Sequence, residues 1–136
     1  MSLIGLQNIC HREAIDLIIQ ELNNPTIPLI KDWSNDQQKK WNYVMSNHVD
    51  QSHDEYLGFI YDETVGIEMN EVLSSPSINI HDRYPFCVSF RVNKNFLFVV
   101  INMHVDFKET DDKQSMTNFI GMIDKSYGKF EINICF

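Results

Sequence analysis

The chain is short of cysteine and short of positive charge, and each shortage removes a class of function. Three cysteines in 136 residues, Cys10, Cys87 and Cys135, lie too far apart for a C-x-x-C pair or a zinc-ligand spacing. Each stands among apolar neighbours in the sequence, which predicts buried thiols and a reducing compartment. Eleven Lys and Arg against nineteen Asp and Glu give a formal net charge of -8. A surface of that sign repels phosphate backbones at long range, so it excludes sequence-independent nucleic-acid binding through a broad basic face. A local phosphate site held through a metal stays open. Long hydrophobic runs are missing as well, so no membrane span is expected. Met1-Ser2-Leu3 opens without the basic leader of a signal peptide. No repeat, linker or low-complexity tract divides the chain. What is left reads as one domain over residues 1–136, soluble and intracellular, cytoplasmic or nuclear. With 43% hydrophobic and 22% charged residues, it is long enough for a single real core.

Taken in order, Leu3 to Leu6 reads as a short buried strand that ends at Gln7-Asn8. Ala14, Ile15, Leu17, Ile18, Ile19 and Leu22 recur at helical spacing over Arg12 to Leu22, and Asn23-Asn24-Pro25 stops that helix. The apolar stripe is expected to pack into the core. Thr26 to Lys40 reads as a loop. Trp41 to Ser46 alternates as a strand, Asn47 to Glu55 is polar and expected to be exposed, and Tyr56 to Tyr61 is a strand again. Asp62-Glu63-Thr64 then turns into Val65 to Met69, which predicts an antiparallel hairpin. Ser74 to Ser77 is a turn, and Pro85 fits only at the start of the strand Phe86 to Val92. Asn93-Lys94-Asn95 makes a second hairpin into the strand that follows. A helix is expected from about Lys113 to Asp124 and a strand from Phe130 to Phe136. The pattern is α+β, a mixed sheet covered by helices.

The strand after that second hairpin carries the most chemistry. An unbroken apolar run from Phe96 to Ile101, rich in β-branched and aromatic residues, predicts a strand buried on both faces. It opens into Asn102, His104 and Asp106, which alternation places on one side. Four polar points, Asn8, Glu55, Arg83 and His104, fall at the ends of strand-like runs, where a sheet gathers residues at one edge. A carboxylate such as Glu55 beside His104 would fix the imidazole tautomer and raise its basicity, as a general acid or base requires. Arg83 would suit a phosphate, because its planar fork donates two hydrogen bonds to an oxyanion pair. Each also has a plain alternative: His104 as a hydrogen-bonded strand terminus, Glu55 as a solvated loop acid and Arg83 as a surface charge.

Leu6-Gln7, Glu21-Leu22-Asn23-Asn24-Pro25-Thr26, Trp41-x-Tyr43-Val44-x-Ser46, Glu55 to Asp62, Arg83-x-Pro85-Phe86 and Val100-Ile101-Asn102-Met103-His104 follow one another in an order that resembles the endonuclease/exonuclease/phosphatase superfamily. The likeness is to its deoxyribonuclease I-like branch, which includes the endonuclease/exonuclease/phosphatase domain-containing proteins. It runs from about Ile4 to His104 and more loosely to Phe136. The resemblance implies a partial deoxyribonuclease I-like β-sandwich, mixed but largely antiparallel, flanked by helices. It implies a nuclease or other hydrolase that cleaves phosphodiesters such as DNA with magnesium. His104 would be the general acid or base, Glu55 would orient it, and Arg83 would contact the phosphate.

The departures from the family pattern carry equal weight. Asn8 stands where the family has a metal-binding glutamate, and a neutral amide is a weaker ligand for a hard cation. The Gly-Asp-x-Asn strand, the final Asp-His pair and the strand that precedes Leu3 in the family are not found, and Cys135 falls near the aspartate position. The expected function is therefore that of a truncated, catalytically impaired member acting as a binding or regulatory module. Two alternatives stand beside it. One is an active magnesium-dependent endonuclease, which needs the metal charge to stabilise the developing anion. The other is an acidic, immunity-type inhibitor drawn to a basic partner by charge. A part of a sandwich would also expose an apolar sheet face, to be covered by another copy or a protein partner.

Overall fold

The computed structural model describes residues 3–34, 38–47, 55–73 and 85–103, together with 114, 117, 118, 120, 121 and 124. Two three-stranded sheets make up the architecture. In the first, β1 (Leu3–Ile9), β3 (Tyr56–Asp62) and β2 (Trp41–Met45) lie side by side with β3 in the centre. In the second, β5 (Phe86–Val92) lies between β4 (Ile67–Val72) and β6 (Phe96–Asn102). All four pairings are antiparallel, so the expected mixture of strand directions is not seen among the described strands. Helix α1 (Arg12–Asn23) follows β1 and packs on β2, and a short α2 (Pro28–Ser34) follows it. The α+β class holds.

Alternation explains how the sheets meet. Leu57, Phe59 and Tyr61 of β3 share one core with Ile67 of β4 and Phe86, Val88 and Phe90 of β5. Aromatic rings interleave across the gap. Phe59 lies 5.7 Å from both Phe86 and Phe90, Tyr61 lies 5.3 Å from Phe90, and Phe98 of β6 stacks on Phe90 at 5.8 Å. Such edge and offset contacts add to the burial of apolar area. The central strands are the ones buried on both faces: every residue of β3 from Leu57 to Asp62 and of β5 from Phe86 to Phe90 is buried. Strand β6 is not: among the described residues it sits at a sheet edge, with Phe96 64% and Leu97 48% exposed. Its continuous apolar run reflects an edge strand. The first strand also departs from expectation: β1 runs on through Gln7 and Asn8 and is exposed or half-buried along its length.

The expected hairpin between Tyr61 and Met69 is absent because both neighbours of β3 are already taken by β1 and β2. The chain changes sheets instead. Asp62 accepts from the Thr64 amide, a single 3₁₀ turn spans Glu63–Val65, and Gly66 follows at φ 77. A Cβ at Gly66 would stand 2.1 Å from Asn93 Oδ1, so only glycine fits where the chain enters β4. The second hairpin forms as read. Asn93 and Lys94 take positive φ of 50 and 63, the Asn95 amide donates to the Val92 carbonyl, and a three-residue loop separates the paired Val92 and Phe96. Gln114, Thr117, Asn118, Ile120, Gly121 and Asp124 are helical within the expected final helix. The turn at Ser74–Ser77 and the strand at Phe130–Phe136 lie outside the described residues.

Two further expectations need correcting. Of the α1 stripe only Ile15 is buried, while Leu17 and Ile18 are 66% and 43% exposed. Cys10 is exposed, whereas Cys87 is buried and burial pushes its thiol up to about 11. Cys135 lies outside the described residues.

The expected loop from Thr26 contains α2, and the reason is Glu21. Its Oε1 accepts the amides of Thr26 and Ile27, each at 2.6 Å, and its Oε2 accepts the Thr26 hydroxyl at 2.8 Å. With Pro28 at the first helical position, this seeds α2. Asn23 does the parallel service for β2. Its side-chain amide accepts from Trp41 N at 2.6 Å and donates to Trp41 O at 2.9 Å, so it covers a sheet edge as a neighbouring strand would.

The bonds from Ile27, first, and from Thr26 hold the Glu21 carboxyl below its ordinary value of 4.5. A carboxyl with a depressed folded pKa adds stability that is complete above its unfolded value and lost as pH falls through the folded one. Wild type is therefore expected to exceed Glu21→Gln in urea midpoint at about pH 7, with the gap closing at about pH 3. A gap of the same size at both pH values would contradict this role.

Candidate functional site

One end of the sandwich carries Asn8 and Glu55, two of the four polar points. The pairs Ile9↔Tyr56 and Phe86↔Asn102 bring the end of β1, the start of β3, the start of β5 and the end of β6 to the same end. Glu55 stands there immediately before β3 and is half-buried. Asn8 stands on β1, exposed, at φ 55. Between the pairs Leu6↔Gly58 and Ile9↔Tyr56, β1 advances one residue more than β3, so Gln7-Asn8 form a bulge. Bulges re-aim side chains and occur often beside active sites. Asparagine suits the left-handed backbone there, and other non-glycine residues pay about 1–2 kcal/mol for it.

An amide network stitches the two sheets together behind this rim. Asn102, the last residue of β6 and only 6% exposed, donates through Nδ2 to the carbonyls of Leu6 at 2.8 Å and Gly58 at 3.1 Å. Its Oδ1 accepts from Gln7 Nε2 at 3.0 Å, and the same Gln7 nitrogen donates to the Met103 carbonyl at 3.0 Å. Asn102 thus reaches β1 and β3 at once. A Cβ on Gly58 would come within 3.3 Å of the Val44 carbonyl and 3.2 Å of Ile9, so glycine there leaves room for the neighbouring strands of its own sheet.

Of the residues expected to form the site, the structure places Asn8 and Glu55 at one end. Arg83 and His104, with Asp106, lie outside the described residues. The described chain enters β5 through buried Pro85 and leaves β6 at Met103, both at this end. Sequence reasoning singled out the Leu6-Gln7 motif and the polar tip at Asn102, yet it assigned no role to either amide. The available signal was a buried apolar run closing on a residue whose side chain can both donate and accept.

Among the described residues no three His, Cys, Asp or Glu side chains come together in a way that could hold an ion. Asn8 offers a neutral amide, and Glu55 is the one carboxylate of the expected set. A magnesium site asks for hard, charged oxygen ligands, and the described residues do not fit one.

The sequence comparisons agree with the resemblance noted above. The chain is 30% identical over 115 residues to the "Endonuclease/exonuclease/phosphatase family domain-containing protein 1" of Homo sapiens, covering 77% of this chain and 20% of the relative. It is 34% identical over 84 residues to the protein of that name from Danio rerio, covering 58% of this chain and 15% of that protein. The protein of the same name from Xenopus laevis is 25% identical over 114 residues, covering 77% of this chain and 20% of that protein. The chain therefore spans about a fifth of the length of the curated relatives it matches. No family model matches, and no solved structure matches. Among the described residues no helix is long and apolar enough to cross a membrane.

Proposed function

We propose that this chain, a segment related to the endonuclease/exonuclease/phosphatase family, is part of a deoxyribonuclease I-like sandwich that binds a phosphodiester and does not cleave it. It would serve as a binding or regulatory module. The reading rests on Asn8, an exposed amide on a bulge, where the resemblance would put a metal-binding glutamate. Arg83 would take a pair of phosphate oxygens through its guanidinium fork. His104, oriented by Glu55, would hydrogen-bond the same group. Phosphodiester hydrolysis needs a metal or equivalent charge to neutralise the developing anion. The family resemblance implies magnesium, but the described residues do not supply its ligands. DNA is the natural probe, and a net charge of -8 limits contact to a short stretch of backbone.

Two assays test this together. In a supercoiled-plasmid nicking assay with titrated magnesium, wild type is expected to stay at background, and His104→Ala is expected to change nothing. In fluorescence polarisation with a short labelled DNA duplex, wild type should bind and Arg83→Ala should bind about tenfold more weakly. Magnesium-dependent nicking that vanishes in His104→Ala would establish the enzyme and overturn the module.

A further inference from the structure

We infer that Gln7 is a positioning residue, which acts through Asn102 and Met103 to fix where β6 ends relative to the bulge at Asn8 and the entry to β3 at Glu55. What is positioned rests on the phosphodiester reading above. The geometry of the clamp stands by itself.

Gln7 is exposed, yet its side-chain nitrogen meets two acceptors on the far sheet, Asn102 Oδ1 and the Met103 carbonyl, each at 3.0 Å. An –NH₂ group has two hydrogens, so both are spent on the end of β6. Asn102 is turned by its own bonds to the Leu6 and Gly58 carbonyls, which leaves its oxygen facing Gln7. The amide at position 102 is thereby fixed in one orientation, with its nitrogen toward carbonyls and its oxygen toward a donor. Asn102 can hold the sheets together without Gln7. The additional bond from Gln7 to Met103 lies beyond the last residue of β6, where it adds little to the core and restrains the way the chain leaves the strand. A bound group held by residues on two sheets is recognised only if those sheets keep their offset to within about 0.5 Å. In metal sites, hydrogen bonds that orient a ligand change affinity by about 10–100-fold, and the lower end of that scale is expected for Gln7.

The test uses Gln7→Met, which keeps length and adds no charge but cannot donate, with Gln7→Ala as a second variant. Three quantities are read: thermal midpoint, affinity for the labelled DNA duplex, and the amide resonances of Leu6, Glu55, Gly58 and Met103 in ¹H–¹⁵N spectra. The expected result is a nearly unchanged midpoint, DNA binding weakened about tenfold, and resonance shifts confined to those strand ends. If binding weakens while the Met103 and Glu55 resonances stay in place, Gln7 touches the DNA itself and the positioning role is overturned. Affinity unchanged in both variants overturns it as well. If wild type fails to bind DNA, the phosphodiester reading falls. The clamp then stands or falls on whether the Met103 resonance moves in Gln7→Met.

Discussion

Phe90→Ala is expected to destabilise the fold by about 4 kcal/mol, through lost transfer energy and the cavity left behind. Phe90 is fully buried in the central strand of its sheet, and its ring meets Phe59, Tyr61 and Phe98 from three other positions in the core. No single neighbour can fill the space, since Phe59 is itself held against Phe86. Against a typical total stability of about 5–15 kcal/mol, such a loss leaves a marginal protein. Urea unfolding followed by tryptophan fluorescence measures it. A change below about 1 kcal/mol would mean that the two sheets do not share the core described.

Asn102→Leu is expected to cost about 2–4 kcal/mol, because the carbonyls of Leu6 and Gly58 and the Gln7 amide lose their partner while the site stays buried. Leucine keeps the branch at Cγ and the number of side-chain heavy atoms but is larger, so overpacking adds to the lost hydrogen bonds. Asn102→Asp sharpens the point. Its carboxylate would face the two carbonyl oxygens that now accept from Nδ2, which disfavours the charged form and raises the folded-state pKa of the new acid. The penalty is then largest at neutral pH and shrinks as pH falls through that raised value. Equal stability of Asn102→Asp and wild type at about pH 7 would contradict the network.

Local chemistry was legible in the sequence, and long-range competition was not. Asn93 tolerates the left-handed backbone it adopts and Pro85 lacks an amide hydrogen, so the turn and the start of β5 follow from their own covalent structure. The supposed hairpin after Asp62 fails because chain proximity is a weak claim on a strand whose two edges are already filled by β1 and β2. An apolar run such as Phe96 to Ile101 looks the same for a central strand and for an edge strand. The buried strands proved to be β3 and β5, and β6 is an edge strand among the described residues. Helix α2 was hidden because its cap, Glu21, belongs to the preceding helix. At the candidate site, the place of Glu55 before a strand could be read. The bulge at Asn8 could not, since it appears only when the register of β1 against β3 is known. Asn102 was visible as a polar tip, but its inward direction depends on carbonyls from two other strands.

The relatives bear their family name over lengths about five times that matched here, and the proposed module differs from an enzyme at one position, Asn8. Manganese broadens nearby amide resonances, so titrating it into ¹⁵N-labelled protein reads that position directly. The expectation is no saturable, localised broadening at Asn8 and Glu55 in wild type, and the appearance of such broadening in Asn8→Glu. Saturable broadening centred on Asn8 and Glu55 in the wild-type protein would contradict a binding module without a catalytic metal.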